Sequence, residues 1–305
     1  VLDVSGSMGD PIYSYVADNT SDGRSGLDTT RTYYIYTGNS YKQMRYYSNY
    51  GRYGWYVSDG YYSYKADDYS NNCKIYTYTG QTRLDALKTA VNQFIDDTSK
   101  KSPNSKIGIT TFSSDGYTNH KQTKGLGTTV TDLKQFVHDL NANGGTNPSV
   151  GLNVAKDELE KVNKDGNPKY VILFTDGAPT GGRTDKQWDT DVVNKSNKAA
   201  DALKKNKFST VYTILFGVGE NSREQAFLKG GEYNGTTYSG IASSSECAKT
   251  ADDAASLTQI FQSISSSISE NIDITGATIT DVIDKRFEIM DQDENGNYKV
   301  ITDKD

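Results

Sequence analysis

The chain has 305 residues, of which 34% are hydrophobic, and its 39 acidic side chains outnumber 33 lysines and arginines for a formal net charge of −6. With a pI near 5.1 and no basic stripe, it is not suited to nucleic acid or anionic membranes, and it has no apolar run of about 18 or more residues to cross a bilayer. A mean hydropathy of −0.70 is low for this length, so part of the chain contributes little to a core.

The opening Val1-Leu2 reads as a strand that runs into Asp3-Val4-Ser5-Gly6-Ser7. Between Gly9 and Thr82 the short connection expected there becomes an insertion of about 70 residues, far above ordinary loop lengths. It holds 17 of the 23 tyrosines, from Tyr13 to Tyr78, with seven acidic and seven basic side chains between Asp10 and Gln81. Alternation such as Lys74-Ile75-Tyr76-Thr77-Tyr78 predicts strands, and the Tyr-Tyr pairs at 33, 46 and 61 give low-complexity character. After it, apolar residues at 84, 87, 91, 94 and 95 predict a helix over Arg83–Ile95. Ile107–Phe112 reads as a strand and Val130–Leu140 as a helix. A further helix starts behind Gly144-Gly145-Thr146-Asn147, with Val150, Leu152, Val154 and Leu159 partly buried. Tyr170–Thr175 is a nearly continuous apolar run, as a strand covered on both faces should be, and it ends on Asp176-Gly177. Ala199–Lys207 closes a helix, Val211–Val218 is another buried strand, and Leu257–Ile268 is the last helix. This order predicts an α/β fold, a three-layer, doubly wound, mostly parallel sheet over 1–271, with the tyrosine-rich arm at 10–81 inserted in it. From 272 to 305 the pattern changes to strand-like alternation, with Asn295-Gly296 as a hairpin signal, and reads as the beginning of a β-rich domain. Because Val1 begins within a strand, the sequence reads as a piece of a larger protein.

Parallel α/β sheets bind ligands where loops converge at the carboxyl ends of strands. Three such loops carry Asp3, Ser5 and Ser7, then Thr146, then Asp176: five oxygen donors and no soft ligand. That set suits a hard divalent cation, Mg²⁺ before Mn²⁺ or Ca²⁺. Ser5 and Ser7 also fit helix capping, which is compatible with a metal role. On these segments the sequence resembles a von Willebrand factor A domain, and all five positions of that family's metal-ion-dependent adhesion site are filled. The resemblance implies that these residues supply most of a coordination sphere, with action through water for Asp176 and a free coordination position for an acidic ligand side chain. It further implies an extracellular, cell-surface or cell-wall-anchored protein. The segment after 271 resembles the strand-rich stalk modules of Gram-positive surface and pilus-tip adhesins.

Tyrosine, serine, glycine and asparagine are paratope residues, because tyrosine offers a large amphipathic contact area at low entropic cost. The arm therefore reads as a recognition element beside the metal, with Tyr46, Tyr47, Tyr53, Trp55, Tyr61 and Tyr62 as candidate ligand contacts; the other reading is a protective β decoration. Cys73 and Cys247 lack zinc-site spacing. They are read either as a disulfide pinning the arm to the domain or as two unrelated thiols. Asp291–Gly296 has Thr302 where a calcium loop requires its twelfth-position glutamate, and so reads as a polar turn. The sequons at Asn19, Asn194 and Asn234 carry no weight without a glycosylating host. Neither His120 nor His138 lies near a nucleophile motif, and nucleophile-elbow, Walker and dinucleotide patterns are incomplete, so no enzyme is expected. The leading expectation is a metal-dependent adhesion module for an extracellular protein, with a glycan as a further candidate ligand. The alternative is a structural component of a surface fibre with a merely stabilising metal site.

Overall fold

The computed structural model describes residues 1–37, 40–70, 72–114, 123–162, 166–181, 187–219, 221–270, 290–292 and 298–300. The chain divides into two units, Val1–Glu270 and Asn271–Asp305. In the first, β1 (Leu2–Asp3) is followed by a 3₁₀ turn at Gly6–Gly9 and then by the arm. The arm comprises β2 (Pro11–Asp18), α1 (Ser21–Ser25), β3 (Tyr33–Tyr36), β4 (Tyr41–Asn49), β5 (Arg52–Asp59), β6 (Tyr62–Lys65) and β7 (Lys74–Thr82). The chain returns through α2 (Arg83–Lys101), β8 (Ile109–Phe112), β9 (Thr123–Lys124), α3 (Val130–His138), α4 (Pro148–Glu160) and β10 (Tyr170–Thr175). It continues as α5 (Thr190–Lys204), β11 (Thr210–Phe216), α6 (Arg223–Lys229), the hairpin β12 (Gly231–Tyr233) and β13 (Thr236–Tyr238), β14 (Ala248–Ala251) and α7 (Ala254–Glu270).

The main sheet has the order β14-β11-β10-β1-β8-β9, parallel except for β9. Side chains alternate across it as the two-residue period of a strand requires. Leu2, Ile109, Phe174, Ile214 and Phe216 pack on one side with α2, α3 and α7 residues such as Leu87, Ile95, Leu133 and Phe261. Phe112, Leu173, Val211 and Leu215 pack on the other with Leu152, Val193, Leu203 and Phe227 of α4, α5 and α6. The fold is therefore a three-layer α/β sandwich. Gly151 lets α4 lie close to the sheet: a Cβ there would stand 2.6 Å from Val1 Cγ1 and 3.1 Å from Phe112 Cδ1. Chain order reverses between β1 and β10, the switch point at which open α/β sheets bind ligands.

The arm is a second six-stranded sheet, antiparallel, ordered β2-β7-β3-β4-β5-β6. One face has a small core of Tyr33, Ile35, Met44, Val57 and Ile75, closed by Leu27 and Ala66. Asn19 is buried beside it, donating to Ala66 O at 2.8 Å and accepting from Arg24 at 2.7 Å, so its sequon is enclosed. The arm returns where it left, with Pro11 paired to Thr82. Thr82 then caps α2: its Oγ accepts from Asp85 N at 3.2 Å while Asp85 accepts from Thr82 N at 2.9 Å.

The disulfide reading is corrected: Cys73 and Cys247 are both free thiols. Cys73 precedes β7 at the end away from the domain, and the nine residues of that strand span about 30 Å. Cys247 precedes β14, the outermost strand on its side of the main sheet. A disulfide requires Cα atoms within about 7 Å. Absent from the sequence reading are α1 of the arm, β9, α6, the β12–β13 hairpin and β14. Helix α6 has only seven residues, and Ala-Lys-Thr-Ala of β14 has no apolar alternation, as an edge strand permits. In the second unit, β15 (Met290–Gln292) pairs antiparallel with β16 (Tyr298–Val300). Residues 293–297, with the Asn295-Gly296 signal and most of the calcium-loop candidate, and the strand signals at 272–289 lie outside the described residues.

Candidate metal centre

Asp3 ends β1, Ser5 precedes the 3₁₀ turn and Ser7 lies in it, Thr146 precedes α4 and Asp176 follows β10, so all five lie at or just beyond strand ends or before a helix at the switch point. Asp3 Oδ1 accepts from Ser5 N at 2.8 Å and Oδ2 from Thr175 Oγ1 at 2.6 Å. Ser5 Oγ and Ser7 Oγ are 3.1 Å apart, and Ser7 Oγ donates to Asp176 Oδ1 at 2.8 Å. Arg83 Nη1 donates to Asp176 Oδ2 at 2.7 Å. Backbone bonds bring in the Thr146 loop: Gly6 N donates to Gly144 O at 2.8 Å, and Thr180 N and Gly181 N both donate to Thr146 O at 3.0 Å. Two serines after β8 hold it from beneath, Ser114 Oγ accepting from Gly145 N at 2.5 Å and Ser113 Oγ donating to Asn143 O. Gly144 is required there, since its φ is +81° and a Cβ would stand 2.5 Å from Ser113 Oγ.

Asp3 is 0% and Asp176 2% exposed. Burial, and then the charge of Asp176, push the Asp3 carboxyl up to about 7 against the bonds from Thr175 and Ser5. Burial also raises Asp176, with Arg83 and Ser7 pulling it back. Two buried carboxylates, the charge of Asp176 opposing the ionisation of Asp3, amid the hydroxyls of Ser5, Ser7 and Thr146, are a fitting donor set for a small hard cation. Among the described residues no three His, Cys, Asp or Glu gather in a metal-holding cluster, so this mixed set does not match a thiolate or imidazole cage. Both oxygens of Asp176, like both of Asp3, already accept from protein donors, so a cation would reach either carboxylate through water or by displacing one of these bonds.

Residues 64–178 match the family model of the von Willebrand factor type A domain. The matched stretch contains Thr146 and Asp176 and begins inside β6. Asp3, Ser5 and Ser7 lie before it because the arm separates β1 from α2, and the fold restores their place by pairing β1 with both β8 and β10. No curated protein matches the chain. Among solved structures it is similar to the pilus adhesin SpaC of Lactobacillus rhamnosus GG (18% identity, TM-score 0.48), over 63% of this chain and 28% of the adhesin. The chain therefore corresponds to less than a third of that protein. It is also similar to the von Willebrand factor domain of the type V pili tip protein Mfa5 of Porphyromonas gingivalis (13% identity, TM-score 0.46; 64% and 91% of the two chains). A third likeness is to proximal thread matrix protein 1 from the mussel byssus with a zinc-occupied adhesion motif (21% identity, TM-score 0.39; 59% and 41%).

The six arm residues singled out in the sequence do not form one surface. Tyr46, Tyr53 and Trp55 extend the arm's core face, with Tyr46 and Trp55 rings 5.4 Å apart, whereas Tyr47 lies on the opposite face against Tyr56 at 4.9 Å. Tyr61 and Tyr62, 96% and 65% exposed, stand at the β5–β6 turn on the side of the sheet away from β2 and β7. A different set gathers at the root. Tyr13 stacks on Tyr41 at 4.0 Å and lies 4.8 Å from Tyr34 and 6.1 Å from Tyr78, while Tyr41 meets Tyr76 at 5.1 Å. Tyr41 feels the charge of Arg83, and Tyr13 that of Asp10, so this face adjoins the loops of the candidate site. The missed signal was the i, i+2 spacing of Tyr13/Tyr15, Tyr34/Tyr36 and Tyr76/Tyr78, which puts each pair on one face of its strand. Arg83, Ser113 and Ser114 were also missed. His138 is exposed at the end of α3 beside Asp139, and His120 lies outside the described residues.

Proposed function

We propose that this chain is a non-catalytic, metal-dependent adhesion module that binds an acidic group of an extracellular ligand at a cell surface. The observation that carries this reading is the hydrogen-bonded run of Asp3, Ser5, Ser7 and Asp176 at the switch point of the sheet, to which the bond from Gly6 N to Gly144 O ties the loop of Thr146. Asp3, Ser5, Ser7 and Thr146 would hold Mg²⁺ directly, with Mn²⁺ or Ca²⁺ as substitutes, and Asp176 would act through water. A cation there supplies a Lewis-acidic position that a ligand carboxylate completes. The tyrosine face at the arm's root supports a second contact: Tyr15, Tyr36, Tyr41 and Tyr78 keep a third or more of their surface exposed. Aromatic rings with a polar tip suit a protein surface or a glycan. No helix among the described residues is long and apolar enough to cross a membrane.

The test is capture by an array of matrix proteins and glycans in Mg²⁺, in EDTA, and with Asp3→Ala. Capture lost in both EDTA and the variant supports the proposal. Capture that survives both transfers recognition to the arm. Absence of capture, with a metal-dependent melting temperature, favours a fibre component whose metal only stabilises it.

A further inference from the structure

The two carboxylates of the site are held differently. Asp3 accepts only from neutral donors, Ser5 N and Thr175 Oγ1, whereas Asp176 shares one oxygen with the Ser7 hydroxyl and the other with a guanidinium. That guanidinium is built in. Arg83 is the first residue of α2, directly after the last strand of the arm, and its N–H donates to Asp10 O at 3.0 Å, tying both roots of the arm together. Its side chain lies beside Gly217, where a Cβ would sit 3.7 Å from Nε, and is 25% exposed over an Asp176 side chain that is fully enclosed.

Helix capping does not require this contact, since Thr82 and Asp85 already cap α2. Nor is an ion pair at an enclosed carboxylate strong evidence of added stability, because desolvation offsets the attraction. Its electrostatic consequence is clearer. With both carboxylates ionised, the form that binds a cation, these two groups and one guanidinium carry a single negative charge, and a divalent cation turns that into a single positive one. Without the guanidinium the empty site would attract a cation more strongly, and the occupied site would be neutral.

We infer that Arg83 sets the charge of the metal centre, weakening its hold on the cation while leaving the occupied site a surplus positive charge that selects an acidic ligand group. The inference rests on the metal-centre reading above. Arg83 is a specificity-determining residue at the start of α2, which its backbone bond to Asp10 O holds against the root of the arm.

Mn²⁺ alone is the probe, titrated calorimetrically into wild type, Arg83→Met, Arg83→Lys and Asp3→Ala, with a metal-free melting curve of each. Arg83→Met should bind Mn²⁺ about tenfold more tightly, and Arg83→Lys, which keeps the charge, within about threefold of wild type. If Arg83→Met folds only with metal, the Mn²⁺ dependence of its folding midpoint supplies the same affinity. Acetate is then added to the Mn²⁺-loaded proteins and followed by the proton relaxation of metal-bound water. It should displace that water in wild type and Arg83→Lys at several-fold lower concentration than in Arg83→Met. Equal or weaker Mn²⁺ binding by Arg83→Met would overturn the inference, as would a Lys variant that behaves like the Met variant or acetate that displaces water from none of them. Wild type that binds no Mn²⁺, or Asp3→Ala that binds it as wild type does, would instead remove the metal-centre reading itself.

Discussion

The two six-stranded sheets of this chain are stabilised in opposite ways. The main sheet is covered by helices on both faces, and Phe174 and Phe112 lie fully buried on its two sides. The arm covers one face with a few residues around Ile75 and covers the other largely with tyrosine. A sheet buried on both faces can position a polar cluster at its edge rigidly, because the strands that carry it cannot slide without exposing core on one side. A one-sided sheet leaves side chains free for contact, at the cost of a small core. The molecule places the first kind of structure under the candidate metal loops and the second beside them, joined at Asp10 and Arg83.

The two tryptophans separate these regions experimentally, since Trp55 belongs to the arm and Trp188 packs on Phe227 and Tyr238. With each retained singly, Phe174→Ala should cost about 3–5 kcal/mol in urea unfolding followed at Trp188. Ile75→Ala should cost about 2–5 kcal/mol at Trp55 while leaving the Trp188 transition nearly in place. Coincident loss of both signals would show that the sheets unfold as one unit. Saturating Mg²⁺ should stabilise the Trp188 transition by about 2.7 kcal/mol at a hundredfold excess over Kd, and not in Asp3→Ala.

The pH dependence distinguishes the site from the arm further. Asp3 has its carboxyl raised from 3.8 to about 7, so without metal its contribution to stability is full at low pH and is lost as pH rises through about 7. A cation needs the ionised form. Mg²⁺ affinity should therefore fall about tenfold per pH unit below 7, a slope that Asp3→Asn abolishes. The smallest effect concerns the tyrosines: Tyr61→Ser and Tyr62→Ser should change stability by less than about 0.5 kcal/mol and leave array capture intact. Tyr41→Ala, at the root, should reduce capture.

The main sheet was readable because its strands are long apolar runs and its helices have clear periodicity; Tyr170–Thr175 has the expected bounds and α2 starts at the expected Arg83. Its edge was not, because β14 needs no apolar pattern where one side is open. Asp3, Ser5, Ser7 and Asp176, which the structure links by hydrogen bonds, stood out in the sequence by residue type and by their place at the ends of strands. Arg83 did not, since an arginine opening an amphipathic helix looks like a solvated residue until the fold brings Asp176 to it across 93 positions. In the arm, composition identified strands but not which tyrosines share a face. That depends on register, which bulges at Pro11/Tyr13 and Tyr15/Ala17 shift within β2.

The most direct test of the account is calorimetric titration of Mg²⁺ into the wild-type chain and into Asp3→Ala at pH 7.5. One binding site in wild type, lost in a variant that melts at a similar temperature without metal, is the predicted result. Heat of binding that is absent from wild type, or unchanged by the substitution, would contradict it.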